Sequence, residues 1–361
     1  MTEPEHGALQ GGAVTWMITR KYPSSPGGMQ RLSFELTTRL GARRAIRLVA
    51  LRRGETLAMF LLKSAAVVLG GIMRGSIRVL HLGDPVLSPI GAMAKVCGVP
   101  VCVTVHGLDV THRSPVYRAW LRIFFRDLDA YLCISNATGE AAIARGAPPS
   151  RVHVTGIGIE APPDLEPRSH ETQLLLFVGR LVRRKGLAWF VGTVLPLLAP
   201  HHPALRLAII GAGSERDAIE RAAAKAMVAD RLEWLGAVPE IEKWQWLARA
   251  SICIMPNIPV DGDMEGYGIT ALEALAAGTP LVAADIEGLR DAVEPGVGAM
   301  LVPAQDARAW ATALSGLLDS PEHAAMMGRC GREWARTHRR WDEVCDQYER
   351  VFDAVACRKS P

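Results

Sequence analysis

The sequence predicts an α/β protein of two doubly wound, Rossmann-like domains in tandem, facing a central cleft. Three observations predict it. The chain is 361 residues long, more than one core usually organises. Short β-branched runs alternate with helix-length segments almost throughout. A stretch rich in proline and charge, Ala161 to Glu171, interrupts that alternation once and reads as a linker. With 49% apolar and 22% charged residues the chain has a globular composition, not a disordered one.

In the first series Val14 to Ile18, Ile46 to Leu51, Ile77 to Leu82, Val99 to Val105 and Ala130 to Ser135 read as strands. In the second, Leu174 to Gly179, Leu205 to Gly211, Leu232 to Gly236, Ser251 to Pro256 and Pro280 to Asp285 do. Sheets of this kind bind ligands beyond the carboxyl ends of their strands, so functional residues are sought in the loops that follow. The run from Leu57 to Met73 is the most apolar in the chain. At 17 residues, interrupted by Lys63 and Ser64, it is shorter than the roughly 20 needed to span a bilayer and reads as a packed helix, with one that dips into a membrane interface as the alternative. The segment from Arg339 to Arg358 reads as a final amphipathic helix.

The seven cysteines form no CxxC pair and no His partner stands at ligand spacing, which favours reduced thiols in a cytosolic protein over zinc. Acids near the N-terminus argue against a secretory signal. Residues 1–150 carry 18 Lys or Arg against 9 Asp or Glu, a balance of +9 in a chain of net charge +4, so the remainder is net acidic. Such a basic half suits phospholipid head groups or a pyrophosphate-bearing lipid; sparse aromatics and the lack of a recognition motif argue against nucleic acid. A merely solvated basic surface is the alternative.

Chemistry concentrates in the stretch PNIPVDGDMEGYGITALEALAAGTP, Pro256 to Pro280. It reads as a loop leaving a buried strand, then a helix ended by Gly278, with Glu265 at the helix N-terminus and Glu273 about two turns in. Glycines 266 and 268 let backbone approach a ligand, and carboxylates can grip paired hydroxyls of a sugar or ribose. A dipole-complementing Glu265 and a solvated Glu273 would be the alternative, but both acids, Gly-x-Gly and the Gly-Thr-Pro exit would then have to coincide.

The segment EGYGITALEALAAGTPLVAADIEGLRDAV resembles the E-x7-E signature of family 4 retaining glycosyltransferases, and the resemblance extends over nearly the whole chain. It implies the GT-B fold, with an acceptor domain at 1–162, a nucleotide-sugar donor domain at 172–342 and a final helix, 343–361, that crosses back to the N-terminal domain. It further implies that Glu273 grips the nucleotide ribose, that Glu265 contacts the donor sugar, and that the backbone of Gly266, Tyr267 and Gly268 holds sugar hydroxyls and phosphate.

A second match is FVGRLVRRKG, where Arg180 and Lys185 correspond to the family's diphosphate clamp, with Arg183 and Arg184 read as solvated. Gly213, in IIGAGSER, resembles a glycine turn near the nucleotide; the third glycine of a dinucleotide fingerprint is absent. Gly236 and Val238 resemble the base-contacting loop. Gly27 and Gly28, before the first helix, resemble the glycine-rich loop that approaches phosphate from the acceptor side; an ordinary Pro-Gly-Gly turn is the alternative. His106 and Asp109 in VTVHGLDV match the family's HG.D pattern near the reacting sugar. Ser135 and Asn136 resemble another cleft-facing segment, with a simple helix cap as the alternative.

The resemblance implies a retaining, metal-independent transferase that moves a sugar from a nucleoside diphosphate to a hydroxyl acceptor, here expected to be a lipid-linked glycan or polysaccharide precursor. No cofactor is expected, and Asp261 and Asp263 are the nearest approach to an acidic metal pair. The expected place of work is the cytoplasm, with peripheral contact at an anionic membrane face. A nucleotide-sugar 2-epimerase of the same fold and a non-catalytic nucleotide-sugar binding protein remain as alternatives.

Overall fold

A computed structural model describes residues 12–22, 27–160, 162 and 173–358. The expected linker, Pro162 apart, lies outside the described residues, as do the first eleven residues on which the signal-peptide reading rests. The chain divides into two compact units, Met1–Gly156 with Asp342–Pro361, and Ile157–Trp341.

The first unit begins β1 (Val14–Thr19), α1 (Gly28–Arg43), β2 (Ile46–Ala50), α2 (Leu57–Met73), β3 (Ile77–Leu82) and α3 (Ser88–Val96). It continues β4 (Val101–Val105), α4 (Leu108–Thr111), α5 (Pro115–Phe124), β5 (Ala130–Cys133), α6 (Asn136–Ala144) and β6 (Val152–Val154). The strands form one parallel sheet in the order β2-β1-β3-β4-β5-β6. Chain order reverses between β1 and β3, so crossovers leave toward opposite faces there and a crevice opens beyond the strand ends. All five residues of β4, VCVTV, are buried, the reason that strand carries no charged residue on either face. β6 was not anticipated: it is three residues long, sits at the sheet edge and buries none of them fully.

The packed-helix expectation for Leu57–Met73 describes one face of α2. Phe60, Ser64, Val68 and Gly71 are buried, at the three-to-four spacing of a helix stripe. Gly71 lies so close to β1 that a Cβ would come within 2.5 Å of the Trp16 ring. The other face leaves Met59, Leu62 and Met73 at 59%, 75% and 77% exposure. Among the described residues no helix is long and apolar enough to cross a membrane.

The second unit repeats the pattern with β7 (Leu174–Val178), α7 (Leu187–Thr193), α8 (Leu195–Leu198), β8 (Arg206–Ile210), α9 (Arg216–Lys225) and β9 (Leu232–Gly236). There follow α10 (Glu240–Arg249), β10 (Ile252–Met255), α11 (Ile269–Ala277), β11 (Leu281–Ala284), α12 (Leu289–Ala292), β12 (Ala299–Val302), α13 (Ala307–Leu318) and α14 (Pro321–His338). Its sheet is parallel with the order β12-β11-β10-β7-β8-β9 and reverses between β7 and β10. The edge strand β12 escaped the sequence reading because AMLV is short and carries a single β-branched residue.

The last helix, α15 (Trp341–Cys357), falls with the first unit from Asp342 onward. Tyr348 and Phe352 are fully buried, with Tyr348 Oη 2.9 Å from Thr104 Oγ1 and the Phe352 ring 5.5 Å from that of His81. Burial, with the neighbouring His106, pushes His81 down to about 3, so it packs as a neutral ring. At the rim, Arg43 bonds Asp342 and Asp346 at 2.5 and 2.6 Å, and Arg44 meets Asp353 at 3.2 Å. Because the rim pairs are exposed and the rings are not, the rings carry the docking. Phe352→Ala is therefore expected to cost the first unit about 3–5 kcal/mol, read by urea unfolding. A loss under about 1 kcal/mol would show that α15 merely covers a core complete without it.

Candidate functional site

In the second unit the exits of β7 and β10 lie side by side at the chain-order reversal. The β7 exit passes Gly179 and Arg180, then makes a tight turn, Arg183–Lys185, closed by Gly186 in the left-handed region at φ 66°. Gly186 admits no side chain, since a Cβ would lie 1.9 Å from the Pro256 carbonyl oxygen. The turn is anchored to the β10 exit where Ile258 N–H donates to Arg184 O at 2.9 Å, and to the β8 exit where Leu181 N–H donates to Ala212 O. At that exit Gly213 faces Leu181 O, 2.2 Å from where a Cβ would stand. This close loop contact by itself requires glycine, whatever the residue does toward a ligand.

The anchored turn aims two cations at the acids of the β10 exit. Lys185 Nζ lies 2.6 Å from Glu265 Oε2, both side chains about one-tenth exposed. Arg184, expected in solvent, is instead buried. Its Nη1 meets Asp263 at 3.0 Å and its Nε approaches Glu265 at 3.6 Å, because the turn points it beneath the loop. Asn257 Nδ2 donates to Glu265 at 2.9 Å, and Glu265 N–H donates to Glu287 Oε2 at 2.5 Å. Burial alone would push the Glu265 carboxyl up. Lys185 and Arg184, with hydrogen bonds from Lys185 and Asn257, outweigh it and hold the group below its ordinary 4.5. Arg180, by contrast, is exposed.

The helix placement differs from expectation. Glu265 sits three residues ahead of Gly268, the cap of α11, and Glu273 is only the fifth helical residue, little over one turn in. The left-handed cap at Gly268, φ 84°, moves the helix start past the Gly-Tyr-Gly. Tyr267 is buried, at 2% exposure. Glu273 is buried and its Oε1 accepts from Lys243 Nζ at 2.7 Å. Gly236 takes the left-handed region at φ 68° with nothing within 4 Å of its Cβ position, and Val238 two residues on is half-buried.

In the first unit the β1 and β3 exits are joined by Arg20 Nε and Asp84 Oδ2 at 2.9 Å, with Asp84 fully buried. Beyond β4, the Asp109 carboxylate accepts from His106 N–H and Gly107 N–H at 2.9 and 2.7 Å, folding the HG.D segment into a closed turn. Burial, reinforced by Asp84, outweighs those bonds and the nearby His106 and raises the Asp109 carboxyl above its ordinary range. His106 is 7% exposed, and its Nε2 lies 2.8 Å from the Gly83 carbonyl oxygen. A carbonyl only accepts, so Nε2 carries a proton. Ser135 is the cap of α6, its hydroxyl accepting from Thr138 N–H at 3.0 Å, while Asn136 is exposed. Gly27 is extended ahead of Gly28, the first residue of α1.

The residues that sequence reasoning missed are Arg184, Asn257, Lys243, Glu287, Arg20 and Asp84. Only the last had a local signal, as an acid ahead of proline at a strand end.

Residues 8–158 match the glycosyl transferase 4-like domain and residues 172–320 match the glycosyl transferases group 1 family. A GDP-mannose-dependent alpha-(1-6)-phosphatidylinositol monomannoside mannosyltransferase from Mycolicibacterium smegmatis is 30% identical over 71% of this chain and 70% of its own length. A phosphatidyl-myo-inositol mannosyltransferase of the same organism is 29% identical over 79% and 73%. A glycogen synthase from Mycobacterium tuberculosis is 28% identical over 77% and 69%. Among solved structures, sucrose-phosphate synthase from Thermosynechococcus elongatus superimposes at a TM-score of 0.78, with 18% identity, over 96% of this chain and 100% of that one. Anabaena HepE in complex with UDP does so at 0.74, with 15% identity, over 94% and 100%. At such identities these two establish the fold, which is GT-B.

Because Glu265 is more acidic folded than unfolded, it contributes stability that is full above about pH 4.5 and is lost as the pH falls through its folded value. Arg184→Met leaves Asp263 and Glu265 short of one cation and is expected to cost about 3 kcal/mol at pH 7. The deficit should shrink toward about pH 3, as Glu265 protonates. Equal losses at both pH values in urea unfolding would show that Arg184 acts by packing alone.

Proposed function

Since the chain belongs to the family 4, group 1 glycosyltransferases and is a sugar-transferring enzyme, we propose that it is a retaining, metal-independent one. Its donor is a nucleoside diphosphate sugar and its acceptor a hydroxyl on a lipid-linked glycan or polysaccharide precursor. The observation that carries this reading is the 2.6 Å contact between Lys185 and Glu265. A cation held by a carboxylate at a strand exit is already desolvated and oriented, and a diphosphate arriving there competes for it. As the glycosidic bond breaks, charge grows on the diphosphate, and Lys185 with the exposed Arg180 stabilises it. Arg184 and Asn257 meanwhile keep Glu265 compensated, so its carboxylate is left to accept hydroxyls of the sugar. Glu273, rigid on α11, takes the ribose.

The same network supports metal independence, since Asp263, which an acidic metal pair would need, is engaged by Arg184. Retention by a covalent route would need a carboxylate nucleophile on the opposite sugar face. The two buried acids of the second unit's site, Glu265 and Glu273, are each bound by a lysine. We therefore assign proton removal from the acceptor to a phosphate oxygen of the leaving group, on the face from which it departs, with the protein supplying position and charge.

A membrane-borne acceptor accords with two relatives named for phosphatidylinositol substrates. The surface that suits an anionic leaflet is α5. It buries only Leu121 and leaves Val116 and Ile123 at 78% and 66% exposure. Residues 110–126 carry Arg113, Arg118, Arg122 and Arg126 and no acid. α5 and α2 both pack on α3, which places the exposed apolar face of α2 on the same side of the sheet.

Lys185→Ala is expected to lower kcat about 100-fold, as loss of one charge-stabilising donor does. EDTA should leave the wild-type rate unchanged. A normal kcat in the variant, or a strict magnesium requirement, would move the leaving-group role elsewhere, and conversion of the sugar with donor alone would point to an epimerase. The full chain should also co-sediment with anionic and not neutral vesicles. Binding should fall as the screening length drops from about 10 Å at 0.1 M salt to about 3 Å at 1 M. The double variant Val116→Glu, Ile123→Glu should abolish it; binding unchanged in that variant would exclude α5.

A further inference from the structure

Lys243 has no place in the expected clamp or signature, yet it lies at the centre of a charged chain. Its Nζ donates to Glu240 at 2.8 Å on its own helix and to Glu273 at 2.7 Å on α11. The Lys243 side chain is 13% exposed and that of Glu273 5%, so the inner contact is nearly dry, whereas Glu240 is 61% exposed and solvated. The ammonium also lies 5.5 Å from the Trp244 ring, a third favourable contact.

We propose that Lys243 is a positioning residue for recognition of the nucleotide's ribose. It fixes the rotation of the Glu273 carboxylate so that its oxygens meet the vicinal 2′ and 3′ hydroxyls, and it thereby sets the preference for ribo- over 2′-deoxynucleotides. The inference rests on the reading of Glu273 as the ribose acid. A carboxylate offers about four lone-pair sites, so one oxygen can accept from Lys243 and still accept a hydroxyl. Without the ammonium, the Glu273 carboxylate loses one of the contacts that set its terminal torsion, which is broad and has no staggered well of its own. The diol would then pay for the ordering that Lys243 supplies in advance. Because the ribose is bound equally before and during sugar transfer, the effect belongs in KM and not in kcat.

Calorimetry with UDP, GDP and their 2′-deoxy counterparts, on the full chain, tests this. Lys243→Met is expected to weaken the better-bound ribonucleotide about tenfold, the size of one hydrogen bond to a charged group, and its deoxy counterpart less than about twofold. With the matching sugar nucleotide, KM should rise by a similar factor while kcat holds. Lys243→Arg, which keeps the charge, should restore most of the ribose preference, and it also serves if the methionine variant folds poorly. Equal weakening of ribo and deoxy forms, no weakening of either, or an arginine variant that behaves as methionine would overturn the proposal. Glu273→Gln separates it from the reading beneath it. If that variant keeps the wild-type ribose preference, Glu273 is not the ribose acid; if it loses the preference while Lys243→Met does not, only the role of Lys243 falls.

Discussion

The reversal of chain order between β7 and β10 is the constraint on which the donor-side chemistry depends. Where successive crossovers leave toward opposite faces, no helix fills the space beyond two neighbouring strands, and their exit loops must cover that end themselves. Here they do so by bonding to each other, through the Arg184 carbonyl and Ile258 N–H, and by packing without side chains at Gly186. Two loops from distant parts of the chain thus become one rigid piece. Three charged groups, Arg184, Lys185 and Glu265, are held in it nearly dry, with Asp263 half-buried at its edge.

Charge balance in that piece also explains why two of the turn's three basic residues, Arg184 and Lys185, face the acids. A buried carboxylate with one cation would be left exposed to its full desolvation cost whenever a ligand drew that cation away. With Arg184 and Asn257 beneath it, Glu265 would keep partners under the proposed mechanism, in which Lys185 turns to a diphosphate. Asp263, at the other end of Arg184, holds that guanidinium in place.

Much of this was legible in sequence because it is written locally. β4 and β7 read as strands since both faces are buried and every residue is apolar or β-branched, and the acids of the E-x7-E stretch stood out by spacing. β6 and β12 did not, because an edge strand is specified by its one neighbour more than by its own few residues. Arg183 and Arg184 are chemically alike and adjacent; which of them is buried depends on the direction of the turn closed by Gly186. Lys243 was invisible for a related reason. Its partner Glu273 lies 30 positions away, and the pairing exists only once α10 and α11 have packed.

The position of α15 in the chain has a further consequence, for synthesis on the ribosome. The segment that fills the first unit's core with Tyr348 and Phe352 is translated after the whole of the second unit. At about 5–20 residues per second, the first 156 residues wait roughly ten seconds or more for it. During that interval the faces of His81 and Thr104 that α15 will cover have no covering, and the second unit, contiguous in the chain, has all its residues first. The N-terminal half of the polypeptide is thus the later half to mature, and it is the half that a nascent-chain chaperone would have to shelter.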